Sequence, residues 1–150
     1  MSRGVVFDTS TLVSAALRVG SIPYQALLEA LAGYDLCACM ETIAELEEVL
    51  DREKFDRYLD GPSRREFVAL IRRNSRLFSI EDVDPASIKP SCRDVKDNKF
   101  LALTLVAETD LLVTSDEDLL VLRPWHGLRM ITPGEFLSQS EYSPKAEEST

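Results

Sequence analysis

The sequence predicts an α/β fold: a three-layer α/β/α sandwich around a central, mostly parallel sheet. Two observations carry this. Short apolar runs alternate with helix-period segments along the chain, the pattern of strand, crossover and strand units. No internal repeat or interdomain linker divides the 150 residues, 45% of them hydrophobic, so they are expected to share one core of ordinary domain size.

Arg3 to Phe7 is a short apolar run that ends at Asp8, and STLVSAALR follows with the spacing of a short helix capped by Thr9 or Ser10. Pro23 opens a second helix, PYQALLEALAG, in which Ala26, Leu27, Ala30 and Leu31 share a face and Gly33 marks the end. DLCACM reads as a brief buried strand that turns Cys37 and Cys39 to one face as small, reduced core residues. Neither they nor Cys92 have the spacing and partner ligands of a metal site.

METIAELEEVLDREKF is a helix with Ile43, Leu46, Val49 and Leu50 turned inward and an acidic outer face. A fourth helix is expected from Pro62 to about Phe78. Its apolar positions are Phe67, Leu70, Ile71 and Leu77, with Arg64, Arg65, Arg72, Arg73 and Arg76 mostly facing solvent. After the turn-rich DVDPASIKPSCRD, the helical period returns at Asp97, where DNKFLALTLVAE aligns Phe100, Leu103 and Ala107. LLVTS is the next strand, Leu128 to Ile131 the last, and Pro133 to Leu137 a short closing helix. The folded domain is therefore expected over 1–137. The polar SQSEYSPKAEEST at 138–150 has too little apolar content to pack and is expected to be disordered.

Acidic residues outnumber basic ones by 26 to 17, a formal net charge of −9, which weighs against unaided counterion-release binding to nucleic acid. A cation held by Asp8, Glu45, Asp97 and Asp116 would offset part of this charge, and Glu141, Glu147 and Glu148 place more of it in the tail. No run approaches the ~20 apolar residues of a membrane span, and MSRGVVFDTS lacks the features of a secretory signal, so a cytoplasmic protein is expected.

Four carboxylates stand out. Asp8 and Asp116 each follow an apolar strand, and in open parallel sheets the ligand crevice lies beyond the strands' carboxyl ends. Glu45 sits beside Leu46 at the edge of an apolar stripe, and Asp97 opens a helix whose free N–H groups favour negative charge. Taken singly, each has an ordinary explanation: helix caps for Asp8 and Asp97, a solvated helix residue for Glu45, a turn cap for Asp116. Taken together they imply a cation, because gathered carboxylates raise one another's pKa unless a metal compensates them. An all-oxygen set suits Mg2+ or Mn2+ and argues against zinc. Such a site is suited to phosphodiester hydrolysis.

FDTSTLVSA, TIAELEEVL and DVKDNKFLALTLVAETDLLVTSDEDLL resemble the successive motifs of PIN-domain ribonucleases over nearly the whole ordered chain. That resemblance implies catalytic and metal-binding roles for Asp8, Glu45, Asp97 and Asp116, with Asp118 assisting from the same turn and Ser10 and Thr114 supporting. Asp94 is the rival to Asp97 as third acid; Asp97 is preferred because the apolar periodicity begins just after it. Ser115 stands where that pattern commonly has glycine, and the chain's acidity is unusual for a protein that grips RNA. The resemblance further implies a Mg2+- or Mn2+-dependent endoribonuclease similar to the VapC-like toxins, with a small antitoxin protein as partner. It also tips the balance toward a homodimer formed through the helical hairpin from Ser10 to Gly33, although core packing competes for the same apolar residues.

RNA phosphates are expected to meet a basic stretch containing Arg93, Lys96 and Lys99. Two other functions fit less of the sequence. A haloacid-dehalogenase-like phosphotransferase also begins with an Asp after its first strand, but its second acid would fall on Ser10. A non-catalytic module would hold a metal or basic peptide in the same crevice. Trp125 and His126 belong to a turn, and a lone His without a partner motif makes a weak catalyst.

Overall fold

The computed structural model describes residues 3–142. Strand β1 (Gly4–Phe7) is followed by α1 (Thr9–Leu17), α2 (Ile22–Gly33) and β2 (Asp35–Cys39). Then come α3 (Met40–Leu50), a 3-10 turn (Glu53–Phe55), α4 (Gly61–Arg73) and β3 (Ser75–Phe78). A long connection leads through a 3-10 turn (Val95–Asp97) to α5 (Asn98–Ala107), β4 (Leu111–Val113), α6 (Glu117–Leu120), β5 (Arg129–Ile131) and α7 (Pro133–Tyr142). The five strands form an all-parallel sheet in the order β3-β2-β1-β4-β5. The predicted α/β sandwich is therefore what the chain builds, with every paired strand parallel.

Strand periodicity divides the core into two layers, because successive side chains point to opposite faces. Val5, Phe7, Leu36, Ala38, Leu111 and Val113 face a core completed by α1, α2, α3, α4 and α7. Val6, Cys37, Cys39 and Leu112 face the other side, where α5 and α6 are joined by the buried loop residues Cys92 and Trp125. Cys37 and Cys39 do share one face, and all three cysteines are buried free thiols. Phe100, Leu101 and Leu103 are almost fully buried because α5 lies flat on the sheet. Trp125 donates to the Pro90 carbonyl at 2.8 Å and a His126 ring nitrogen bonds the Lys89 carbonyl, so both residues fasten loops on this face.

Several expected boundaries differ. The fourth helix ends at Arg73, not near Phe78, and Ser75–Phe78 is an edge strand paired with β2 from Leu36↔Ser75 to Cys39↔Phe78. Asn74 closes the helix by donating to the Leu70 carbonyl, and Ser75 Oγ donates to that of Ile71. The open edge of β2 then captures the chain, a tertiary interaction that outweighs the helical period through Leu77. Leu77 consequently lies 54% exposed.

Arg64, expected at the surface, is buried: its guanidinium donates to the carbonyls of Leu50 (2.6 Å) and Arg52 (3.0 Å) and pairs with Asp56. It thereby satisfies the orphan carbonyls at the end of α3, which itself stops at Leu50 and does not run through Phe55. The closing helix reaches Tyr142, five residues past the expected Leu137, with buried Phe136 packed on Phe7 and Tyr34 and Gln139 bonded to Arg129 on β5. The remainder of the expected disordered tail, 143–150, lies outside the described residues. Among the described residues no helix is long and apolar enough to cross a membrane.

Candidate active site

The strand order sets the site. From central β1 the chain winds outward through β2 and β3, then returns to β4 on the other side, so β1 and β4 flank a switch point where the connections diverge. Asp8 leaves the carboxyl end of β1, and Thr114 and Asp116 leave that of β4. The two exits are held in register: the Asp8 N–H donates to the Val113 carbonyl at 3.2 Å, and the Thr114 N–H to that of Ile131 at 2.9 Å.

Asp8 is only 3% exposed. It caps α1, in place of the expected Thr9 or Ser10, with Oδ1 accepting from the Thr11 N–H at 3.0 Å. Its Oδ2 accepts a short hydrogen bond from the Thr114 hydroxyl and a long one, 3.5 Å, from Ser10 Oγ. Burial pushes the carboxyl above its ordinary value, opposed by the hydrogen bonds from Thr11 and Thr114. Fully buried Thr114 is a hub, since its hydroxyl oxygen also accepts from the Asp116 N–H at 2.9 Å. Asp116 in turn caps α6 by accepting from the Asp118 N–H at 2.9 Å. Asp118 thus acts on Asp116 through its backbone.

Asp97, hydrogen-bonded to Asp116, and Glu45 complete the lining from the helix side of the cleft, on the turn before α5 and on α3. Asp97 ends the 3-10 turn and makes no cap bond of its own. Its carboxyl is pushed up to about 6, first by burial, then by the charges of Asp116 and Asp94 and a hydrogen bond with Asp116, against the lowering effect of Lys99. Asp94 accepts from the Lys96 N–H at 3.0 Å and caps the turn, so the two rival aspartates hold different positions. Glu45, on α3, accepts from Thr9 Oγ1 at 2.5 Å and from Lys99 Nζ at 3.0 Å.

Asp8, Glu45, Asp97 and Asp116 all line one cleft of about 370 Å³, together with Ser10, Arg52, Lys54 and Phe55. A depression of similar size between α3 and α4, about 390 Å³, has its buried charge, Arg64, committed to the backbone. Among the described residues no three His, Cys, Asp or Glu side chains are drawn close enough to form a ready-made metal cage. Thr114 holds Asp8, Thr9 and Lys99 hold Glu45, and Asp97 bonds Asp116. The donor set still fits Mg2+ or Mn2+. Mg2+ takes one or two carboxylates and completes its shell with water and substrate phosphate, so an open acidic cleft suits it better than a closed cage.

Lys99, expected among surface RNA contacts, has its side chain 15% exposed and is ion-paired with Glu45, whereas Arg93 and Lys96 are exposed. Sequence reasoning missed Arg52, Lys54 and Phe55. A signal for Arg52 was present: Glu45, Val49 and Arg52 are spaced i, i+4 and i+7, one stripe of a helix.

Fold and site together define a doubly wound α/β protein with an acidic cleft at its switch point. The sequence pattern of the PIN domain matches residues 4–118, a span that contains all four carboxylates, and the chain belongs to this family. PIN domains are typically nucleases that act on nucleic acids, and they generally use divalent metal ions. No curated protein matches the chain. Membership sets aside the phosphotransferase alternative, in which Asp8 would be a nucleophile.

Proposed function

We propose that this chain is an endoribonuclease that hydrolyses RNA phosphodiester bonds with Mg2+ or Mn2+, and that it is the toxin of a toxin-antitoxin pair. The observation that carries the nuclease reading is the convergence of Asp8, Asp97, Asp116 and Glu45 on one cleft at the switch point of the sheet. The Asp97 carboxyl is raised first by burial and then by the charges of Asp116 and Asp94, and it is the second of these causes that a metal cation would relieve. Asp8, Asp97 and Asp116 are the residues that would hold the ion, with Glu45 completing the set from α3. When bound, the cation supplies positive charge to the phosphate and a water acidic enough to attack it near neutral pH.

The protein's own contribution is positioning. Thr114 fixes Asp8 and Asp116 relative to each other, and Thr9 and Lys99 hold Glu45 until an ion competes for it. Ser10 stands at the mouth, within 3.5 Å of Asp8. Arg93 and Lys96 are offered as approach contacts for RNA phosphates. The choice of RNA and the antitoxin partner follow from the sequence resemblance. A homodimer through the α1–α2 hairpin is supported by the exposure of Val19 (80%), Ile22 (49%) and Leu28 (49%) there.

Purified wild type and Asp8→Asn, incubated with assorted RNAs in Mg2+, Mn2+ or EDTA, test the nuclease reading. Metal-dependent cleavage by wild type, reduced at least ~100-fold in Asp8→Asn, is expected. Equal cleavage by both proteins would remove Asp8 from the site. No cleavage, with Mn2+ still bound by wild type alone, would favour a binding module.

A further inference from the structure

The sheet has two edges, and they are finished differently. At β5, Met130 is 1% exposed and its carbonyl accepts from Arg123 Nη1 at 3.2 Å, so a side chain from the preceding loop covers the strand. At β3 the sheet ends with no such cover. Arg76 and Leu77 are exposed, and among the described residues no hydrogen bond other than the ladder to β2 engages the backbone of residues 76–78. An uncovered edge offers free N–H and C=O groups, a template for a further strand.

The flank of this edge is positive. Between residues 67 and 80 the chain carries Arg72, Arg73 and Arg76 and no acid, in a protein of formal net charge −9. All three are exposed. Arg72 has no ion pair or hydrogen bond among the described residues. Arg73 meets Glu66 at 3.5 Å and Arg76 meets Asp35 at 3.6 Å, pairs open to solvent and of little energetic weight.

Strand alternation sorts the side chains that an added strand would meet. Arg76 and Phe78 lie opposite Cys37 and Cys39, on the α5 side of the sheet, and the Arg76 guanidinium lies over the Phe78 ring. Leu77 lies opposite Ala38, on the other side, and is exposed. A second copy pairing through β3 would bring the arginines of both chains together, and like charges across a strand pair are unfavourable. RNA would meet the cations but forms no ladder with a strand edge, whereas an extended peptide uses both.

We infer that the open edge of β3 takes an extended acidic segment of a partner protein as a sixth strand, with carboxylates on the side of Arg76 and an apolar side chain beside Leu77. This goes beyond the nuclease reading and does not depend on it.

The probe is a labelled peptide of about ten residues that alternates glutamate and valine, so that one face is acidic and the other apolar. Titrated into the full chain at low salt, it is expected to bind saturably, at least about tenfold more tightly than the same peptide with lysine in place of glutamate. Amides of β3 that are not bonded to β2 should exchange with solvent at least about tenfold more slowly when the peptide is bound. Arg76→Glu, at an exposed position, should weaken the glutamate peptide about tenfold and strengthen the lysine peptide, an exchange of preference that loss of folding would not produce.

Absence of binding, equal binding of the two peptides, binding unchanged in Arg76→Glu, or binding without slower exchange in β3 would each overturn the inference. A single-stranded oligonucleotide that binds wild type and is lost in Arg76→Glu, where the glutamate peptide does not bind at all, would assign the arginines to nucleic acid instead.

Discussion

The two walls of the cleft are built differently. On the strand wall, Asp8 and Thr114 are buried, and Thr114 binds Asp8 and Asp116 together with bonds that leave both little freedom. On the helix wall, Asp97 is half-buried, with no cap bond of its own but a hydrogen bond with Asp116, and Glu45 is held by two side chains, Thr9 and Lys99. Asp8 and Asp116 each also accept from a backbone N–H, of Thr11 and Asp118, and charges held in this way are preorganised, while charges held only by other side chains can be exchanged when an ion or phosphate arrives. The strand wall therefore acts as the template and the helix wall as the adjustable half.

The strongest attempt to break this contrast is Thr114→Val, nearly isosteric but without the hydroxyl. It strands a buried Asp8 oxygen and the Asp116 N–H, and a buried group without its partner costs about 1–3 kcal/mol. A loss of about 2 kcal/mol is expected, roughly 6 °C in Tm for a chain of this size. Because the Thr114 hydrogen bond favours ionised Asp8, the loss should be greater at alkaline pH than at acid pH. Thermal melts at both extremes of pH check this. A variant as stable as wild type would mean the strand wall is no more fixed than the helix wall.

The strand wall was also the more legible from sequence. Asp8 and Asp116 follow short continuous apolar runs that could be read locally, their alternation with helices predicts a parallel sheet, and the switch point follows once the strand order is known. What escaped depends on contacts between distant segments. β3 forms because β2 offers an open edge, Arg64 is buried because α3 ends beside it, and Lys99 reaches Glu45 across 54 positions of sequence. Each reverses what local composition predicts: a helical period, a solvated arginine, a free basic patch. Arg52 is an intermediate case, readable by helical spacing from Glu45 once the site was known.

A smaller effect tests the electrostatics of the helix wall. Asp97 has its carboxyl raised to about 6 from an ordinary 3.8, so across that window the folded protein keeps a proton the unfolded chain has released. Stability from this group therefore falls as pH rises through the window and is lowest above pH 6. Asp97→Asn removes a partly buried charge and, with it, the repulsion with Asp116. It should stabilise the protein by about 1 kcal/mol above pH 6, once solvent screening of a half-buried group is allowed for, and by nothing below pH 3.8. Urea denaturation across pH, without added divalent ion, reads the difference. A constant offset at all pH values would mean that burial and the acidic neighbours do not raise the Asp97 carboxyl.

The smallest expected effect decides whether the helix wall truly adjusts. Lys99→Met removes the ammonium that engages Glu45 while keeping the length of the side chain. Because both partners are partly exposed, stability should change by less than about 1 kcal/mol. Mn2+ affinity, measured by calorimetry, should rise about fivefold, equivalent to about 1 kcal/mol. Part of any gain comes simply from deleting a nearby positive charge, so the informative comparison is Glu45→Gln in each background. In wild type, where Lys99 already neutralises Glu45, the substitution should barely alter Mn2+ binding. In the Lys99→Met background it should cancel most of the gain, because Glu45 has become free to swing toward the ion. Equal Mn2+ affinity for Lys99→Met with and without Glu45 would remove Glu45 from the ligand set and leave it a positioning partner of Lys99.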